Sequence, residues 1–254
     1  MLTSWVNIEA INKRDDRIVN TSTYLDVPKD WLGEQFIIEA ETLKKQNELA
    51  YRNEYLGEAT GTGGAVFNNL NIRAITDDEI KQFDNISDGI DFGFAVDPAV
   101  YTQNYYDKTR RKLYIFNEIY KIGMSNKQLH DEIVKKKIGT SYITADSAEP
   151  KSISEINSYG QVRVLPAKKG PDSIDFGIKW LQNLNEIVID DVRCPNTSRE
   201  FSMYEYLKDK FGNFIAKYPD LNNHTIDATR YSRENDMNYN QMEIGYNNIL
   251  WKRS

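Results

Sequence analysis

Apolar and polar residues alternate in short runs along the central part of the chain, and this alternation predicts β-strands. The predicted strands lie at 90–96, 100–106, 112–120, 142–145, 161–165 and 186–189. The polar segment from Asp107 to Arg111 separates the second of these strands from the third. Such a segment is typical of a tight turn, so we expect those two strands to form a hairpin.

Between the later strands, apolar residues recur every three or four positions, which is the spacing of one face of a helix. The predicted helices lie at 125–137, 151–159, 173–184, 197–209 and 224–233. Three adjacent strands followed by alternating helices and strands make a mixed sheet that is flanked by helices. We therefore predict an α/β fold with the element order of RNase H.

The first 80 residues have the pattern of a lead-in segment rather than of a complete domain. A strand is predicted at 17–25 and a helix at 31–56, followed by a glycine-rich loop at 57–64. A phosphate-binding loop carries a Lys directly after its last glycine, and no Lys stands there in this chain. We therefore interpret the glycine-rich loop as a linker.

The remaining residues divide into a main domain and a tail. We place the main domain at 86–232 and a polar tail at 233–254. Two interpretations of the apolar residues in the tail remain open, docking to a partner and packing back onto the core. They are Tyr239, Ile244, Tyr246, Ile249, Leu250 and Trp251.

The amino-acid composition limits which disulfides, metal ligands and partners the chain can have. The chain has 254 residues with one cysteine, Cys194, and two histidines, His130 and His224, which excludes an internal disulfide framework and a Cys/His zinc site. A metal would be held mainly by oxygen, which favours Mg²⁺ or Mn²⁺. The net charge of −6 argues weakly against DNA binding by charge alone. No apolar run has the length of a membrane helix and no signal peptide is visible, so we expect a cytoplasmic protein without a membrane partner.

Three aspartates lie at positions where a fold of this element order would bring their side chains together. Asp91 lies on the first predicted strand, Asp146 closes the fourth, and Asp227 lies near the start of the last helix. Each alone is as readily a surface carboxylate. The first and fourth strands are neighbours in a sheet of this order, so we expect the three carboxylates to converge. Like charges at short range cost several kcal/mol without cations. Two divalent ions about 3.5–4 Å apart would relieve this repulsion, one activating water and the other stabilising the leaving 3′-oxygen.

Three other residues are candidates for the same site. His224 precedes Asp227 by three residues and shares its helix face. It could orient the carboxylate, bind near the scissile phosphate or protonate the leaving group, and an ordinary capping or surface histidine fits equally well. Lys168 and Lys169 lie in a loop bounded by Gly and Pro. We expect them to hold a DNA backbone, with a solvated basic loop as the alternative.

Several strings of residues resemble one known family, the nuclease domain of the large terminase subunits of tailed phages and prophages. The strings lie at 89–93, 145–153, 166–171 and 223–231. The resemblance covers 86–232, and residues 22–26 also resemble the last part of the terminase ATPase domain. It implies an RNase H-like fold with acidic metal ligands at Asp91, Asp146 and Asp227.

The resemblance also implies a function, the metal-dependent cutting of concatemeric double-stranded DNA during genome packaging in the host cytoplasm. The implied partners are double-stranded DNA, the terminase ATPase domain, the small terminase subunit and the portal. The nucleotide-binding motifs of the ATPase do not occur in this sequence, so we do not expect this chain alone to be the motor. We expect the isolated chain to be a monomer.

Three alternatives compete with this interpretation. A nuclease of the P-D…[DE]-x-K class is disfavoured, because Pro150 would interrupt the required strand and no Pro-Asp lies upstream. A sugar-kinase or actin-like ATPase shares the start Gly89 to Gly93, but its second glycine-rich hairpin is absent from the sequence. A non-catalytic module that docks on the portal or a partner subunit has no need for three converging carboxylates. It remains the alternative function.

Overall fold

The computed structural model describes residues 22–46, 48–56, 64–168, 170 and 172–237. These residues belong to two compact units. One unit comprises 1–66 with 202–219, and the other comprises 67–201 with 220–254. No helix in the described ranges has the length and apolar character that crossing a bilayer would require.

Among its described residues, the smaller unit contains a 3-10 turn followed by three helices. The turn is Tyr24–Asp26, and the helices are α1 (Lys29–Leu32), α2 (Glu34–Gln46) and α3 (Glu48–Leu56). The prediction of a single continuous helix at 31–56 was therefore wrong, because this range is divided among three helices. Gly33 has a φ of +79°, a left-handed conformation that ends α1.

The strand predicted at 17–25 was wrong for the residues that the structure describes, and 17–21 lie outside them. Thr23 accepts a hydrogen bond from the backbone N–H of Leu25, and the Asp26 carboxylate accepts one from the N–H of Thr23 at 2.7 Å. This reciprocal cap stabilises a turn in place of an extended strand.

The larger unit contains a seven-stranded mixed sheet. Its strands are β1 (Leu70–Ile72), β2 (Ile86–Asp91), β3 (Ala99–Asp107), β4 (Lys112–Lys121), β5 (Ile143–Ala145), β6 (Val164–Pro166) and β7 (Glu186–Ile189). Their order across the sheet is β1-β7-β4-β3-β2-β5-β6. The pairs β2/β3 and β3/β4 are antiparallel and the other pairs are parallel. The predicted hairpin and mixed sheet are confirmed.

In the described part of the chain, six helices accompany this sheet. They are α4 (Asp77–Ile80), α5 (Asn126–Lys136), α6 (Pro150–Ser158), α7 (Ser173–Gln182), α8 (Pro195–Met203) and α9 (His224–Ser232). Strand β1 and helix α4 were not predicted from the sequence, because both are too short to show a periodic pattern. Helix α8 was predicted to extend to residue 209, but it ends at Met203.

The first predicted strand was shifted by several residues. It was expected at 90–96, but β2 ends at Asp91. The chain then turns back on itself, since a Cβ atom on Gly93 would lie 2.5 Å from the carbonyl oxygen of Asp97 and 2.4 Å from that of Pro98. The turn places Asp91 at the end of a strand, where a side chain can face a site rather than a neighbouring strand.

The two faces of β2 pack against different helices. Ile90 belongs to an apolar core with residues of α5 and α6, including Leu129 and Ile156. On the other face α9 crosses the strand so closely that a Cβ atom on Gly89 would lie 1.8 Å from the carbonyl oxygen of Ala228. Side chains alternate between faces along a strand, so Asp91 lies on the same face as α9.

Candidate metal centre

Two of the predicted aspartates lie side by side at the carboxyl ends of neighbouring parallel strands. Ile90 of β2 is in register with Ala145 of β5, and the N–H of Asp146 donates to the carbonyl oxygen of Ile90 at 3.3 Å. Asp91 and Asp146 therefore follow paired residues at the same edge of the sheet. This adjacency was predicted from the order of the strands in the sequence.

Helix α9 brings the third aspartate and the histidine to the same edge. Nδ1 of His224 lies 2.9 Å from Oδ2 of Asp91. Two turns further along α9, the hydroxyl of Tyr231 donates to Oδ2 of Asp146 at 3.4 Å. The helix thus contacts the aspartates of both strands, with Asp227 between these two contacts in sequence.

The electrostatics of Asp91 are those of a crowded acidic site. Its side chain is 14% exposed, and burial raises the pKa of its carboxyl from 3.8 to about 6, with smaller contributions from the charges of Asp227 and Asp146. The hydrogen bond to Asp91 in turn raises the pKa of His224. Burial and the three carboxylates also raise the pKa of Tyr231, so its hydroxyl stays protonated. Asp227 and Asp146 therefore both act on Asp91, and all three acids act on Tyr231.

Asp227 is held by residues of its own helix and cap. Nη1 of Arg230 forms an ion pair with its Oδ1, and Nδ2 of Asn223 donates to its Oδ2 at 3.1 Å. Arg230 is itself buried, and its Nε atom, which has no hydrogen-bond partner, would lie 2.6 Å from a Cβ atom on Gly177. A residue larger than glycine at position 177 would therefore displace the guanidinium group that balances Asp227.

The chemistry of these residues suits a hard divalent cation. Three carboxylates and one imidazole form an oxygen-rich donor set of the kind that Mg²⁺ and Mn²⁺ prefer, and a cation would relieve the repulsion that acts on Asp91. Among the described residues, no three His, Cys, Asp or Glu side chains are already arranged as a metal-binding group. The acids are neighbours, with Asp227 engaged by Arg230.

Of the two predicted DNA-binding lysines, the structure describes one. Lys168 is exposed in the loop after β6, and its backbone N–H donates to the carboxylate of Glu234 at 2.5 Å. The preceding residue, Ala167, donates its N–H to the carbonyl oxygen of Ala145, next to Asp146. Lys168 therefore lies on the Asp146 side of the candidate site. Lys169 lies outside the described residues.

Most of the larger unit of this chain matches a known protein family. The family model described as "Terminase RNAseH like domain" matches residues 91–235, which is more than half of the chain and includes all six predicted site residues. The chain belongs to this terminase family. The resemblance stated from the sequence and the predicted RNase H-like fold are both confirmed.

Two curated terminases are similar in sequence. The large terminase subunit of Bacillus phage SPP1 is 45% identical over 240 residues, covering 92% of this chain and 56% of that protein. The PBSX phage terminase large subunit of Bacillus subtilis (strain 168) is 32% identical over 144 residues, covering 57% of this chain and 33% of that protein. The chain thus spans about half the length of the first relative and a third of the second.

Solved terminase structures share the fold. The nuclease domain of the SPP1 large terminase g2p, solved with bound Mn, has a TM-score of 0.64 and 44% identity, covering 67% of this chain and 98% of that one. The P22 large terminase nuclease domain has a TM-score of 0.51 at 19% identity, covering 66% and 90%. The second similarity shows the fold alone, whereas the first also shows close sequence similarity to a terminase nuclease domain.

Three residues that contact the three aspartates or their helix were not predicted from the sequence. Arg230 follows Asp227 by three residues, a spacing that allows an ion pair on one helix face and was available as a signal. Tyr231 contacts Asp146, which is 85 residues away. Glu200 binds Thr225 from another helix. No local pattern predicts these two contacts.

Proposed function

We propose that this chain is a metal-dependent endonuclease that cuts double-stranded DNA during phage genome packaging. The observation that carries the proposal is the meeting of Asp91, Asp146 and α9 at one sheet edge, where burial, and to a smaller extent the charges of Asp227 and Asp146, raise the pKa of Asp91. The similarity to an SPP1 nuclease domain solved with bound Mn supports the same conclusion.

In this proposal Asp91, Asp146 and Asp227 hold two divalent cations, Mg²⁺ or Mn²⁺. When bound, such ions supply Lewis acidity and an activated water molecule for phosphodiester hydrolysis. The three carboxylates come from two strands and one helix, so their relative positions depend on how α9 packs on β2 and β5. Arg230 would balance the charge of Asp227 and orient its carboxylate.

His224 has two distinct ring nitrogens for two tasks. Its Nδ1 bonds to Asp91 at 2.9 Å and thereby orients that carboxylate. Its Nε2 lies 3.7 Å from Oδ1 of Asp97, whose side chain is 64% exposed. We propose that Nε2 is the atom that holds a proton for the phosphate or the leaving oxygen.

DNA binding is proposed to use cations beside the acids, because the chain as a whole has a net charge of −6. Lys168 lies on the Asp146 side of the site and, with Lys169, is proposed to contact backbone phosphates. The proposed partners are double-stranded DNA, the terminase ATPase domain, the small terminase subunit and the portal. The proposed location is the host-cell cytoplasm, with the chain encoded by a phage or prophage and monomeric in isolation.

The test is cleavage of supercoiled plasmid by the whole chain in Mn²⁺, Mg²⁺ or EDTA. We expect nicking and linearisation that require the metal and disappear in Asp146→Asn. A matched control is Asp131→Asn, which removes a half-exposed carboxylate on α5 that pairs with Lys127. This variant should cleave like the wild type. If the folded wild type leaves the plasmid intact with every metal, the nuclease proposal fails and the non-catalytic docking function replaces it.

A further inference from the structure

Glu200 of α8 is a buried carboxylate that no step of the proposed cleavage uses. Glu200 is 1% exposed. Its Oε2 accepts hydrogen bonds from both the N–H and the hydroxyl of Thr225, each at 2.7 Å. We propose that Glu200 is a positioning residue of the nuclease site, which holds the first turn of α9 and thereby places His224 and Asp227 relative to Asp91. This inference rests on the proposed function.

The first turn of α9 needs an acceptor from outside the helix. The first N–H groups of any helix have no partner within it, and a side chain at the N-cap usually supplies one. Asn223 at the N-cap makes no such bond, because its side-chain amide donates to Asp227. The Glu200 carboxylate takes this place, and its negative charge suits the positive end of the helix dipole.

The other oxygen of Glu200 ties the same turn to the sheet. The hydroxyl of Tyr120 on β4 donates to Oε1 at 3.0 Å. Burial, followed by the charge of Glu200, raises the pKa of Tyr120 to about 12, so the hydroxyl remains a donor throughout the working pH range. One carboxylate therefore joins a central strand to the helix that carries His224 and Asp227.

Helix α8, which carries Glu200, is also held at its first turn by a buried carboxylate. The buried Glu118 of β4 accepts from the N–H and the hydroxyl of Thr197, both at 2.8 Å, and from the N–H of Asn196 at 3.1 Å. Glu118 and Tyr120 are two residues apart on one strand and share a face. The strand thus fixes the start of α8, and α8 with the strand fixes the start of α9.

Removing the Glu200 carboxylate should act on catalysis through geometry. In Glu200→Ala the buried N–H and hydroxyl of Thr225 lose their acceptor, so the first turn of α9 must move to find another. A displacement of about 1 Å in a positioning element lowers rates by about 100-fold. Glu200→Gln keeps one oxygen for Thr225 and places an amide near the Tyr120 hydroxyl, so it should restore kcat to within about tenfold of the wild type.

The experiment compares the whole chain as wild type, Glu200→Ala, Glu200→Gln and Ser125→Ala. Ser125 caps α5, a helix without proposed site residues, so its loss controls for a missing helix cap elsewhere. The measurements are kcat and KM for plasmid nicking with Mn²⁺, below the Tm of every variant, and amide hydrogen exchange at Thr225 and Ile226. We expect Glu200→Ala to lower kcat by about 100-fold with KM changed by less than about threefold, and to speed this exchange by about tenfold.

Each outcome decides the proposal. Wild-type kcat in folded Glu200→Ala, an equal loss in Ser125→Ala, or a Glu200→Gln variant as impaired as Glu200→Ala would overturn it. If the wild type cleaves nothing, the proposed function fails separately. Hydrogen exchange then still tests whether Glu200 stabilises the first turn of α9. Unchanged exchange at Thr225 in Glu200→Ala would contradict this role. Faster exchange in Glu200→Ala that returns to the wild-type rate in Glu200→Gln would support it.

Discussion

Strand β2 carries two aspartates, three residues apart and on opposite faces, that have opposite environments. Asp88 is completely buried, and its carboxylate is fully engaged. It accepts hydrogen bonds from Tyr101 at 2.5 Å, Gln103 at 2.7 Å and Ser141 at 2.5 Å, and lies 3.2 Å from the Lys137 ammonium group. Asp88 therefore acts as a structural anchor between β2, β3 and the segment that leads into β5.

Asp91 meets the reverse conditions on the other face. His224 donates to it, but Asp227 and Asp146 surround it with like charge, and burial raises its pKa to about 6. The contrast teaches that burial alone does not identify a functional carboxylate. The charge of Asp88 is balanced by its donors and by Lys137, whereas Asp91 lies among like charges, an environment that suits the proposed cation site.

The largest effect on cleavage is expected from a substitution of Asp91, the aspartate of β2 that lies among like charges. A bound metal ion contributes several kcal/mol of transition-state stabilisation, so Asp91→Asn should lower plasmid cleavage by at least about 10³-fold. The metal-free variant should remain folded with a Tm no lower than the wild type, because a repelled charge is removed. Cleavage rates with Mn²⁺ and calorimetry in EDTA measure the two quantities. A folded variant that cleaves at near wild-type rate would remove Asp91 from the site.

Asp88→Asn should show the opposite profile. Loss of one partner from a buried ion pair costs about 3–5 kcal/mol, so the free energy of unfolding should fall by about 3 kcal/mol while the folded fraction cleaves within a few-fold of wild type. Urea unfolding measures the first quantity. The double variant Asp88→Asn/Lys137→Met, which leaves no uncompensated charge, should lose less stability than Asp88→Asn. A selective loss of cleavage without a loss of stability would contradict the structural role.

The pH dependence of stability should separate the wild type from Asp91→Asn. An acid whose folded pKa is raised from 3.8 to about 6 binds more protons in the folded state between these values, so its contribution to stability falls as pH rises through that window. In EDTA, the stability of wild type relative to Asp91→Asn should therefore decrease by on the order of 2 kcal/mol from pH 4 to pH 6.5. Urea titrations at four pH values test this, and a difference that grows with pH would refute the raised pKa.

The smallest expected effect concerns DNA contact beside the acids. Lys168→Ala should weaken DNA binding by roughly threefold to tenfold and lower the salt slope by about one unit, because one phosphate contact is lost. Binding is measured with Ca²⁺ in place of the catalytic metal, over a series of salt concentrations. Lys127→Ala on α5 is the matched control, since this lysine pairs with Asp131. Equal effects from both lysines would indicate a general charge effect rather than a DNA contact at the site.

Much of the fold and the candidate site was predictable from local pattern. Asp146 and Asp227 were predicted from their places at the end of a strand and the start of a helix, and the strand order brought their elements together. The pattern placed Asp91 inside a strand, whereas the structure ends β2 there, because the tight turn at Gly93 involves the carbonyl groups of residues four and five positions away. That closure has no signature in apolar periodicity.

The sequence by itself determined the mixed sheet with its helices, through the alternation of apolar and polar residues. It also predicted the three acids, through the place of Asp91 on the first strand, of Asp146 at a strand end and of Asp227 near a helix start. Only the tertiary structure decided which buried carboxylates are balanced and which are not. The hydrogen-bond donors to Asp88 lie 13, 15 and 53 positions away, and Glu200 binds a residue 25 positions away. Periodicity describes which face a residue lies on, whereas hydrogen-bond donors and like charges arrive from other elements and are set by how those elements pack.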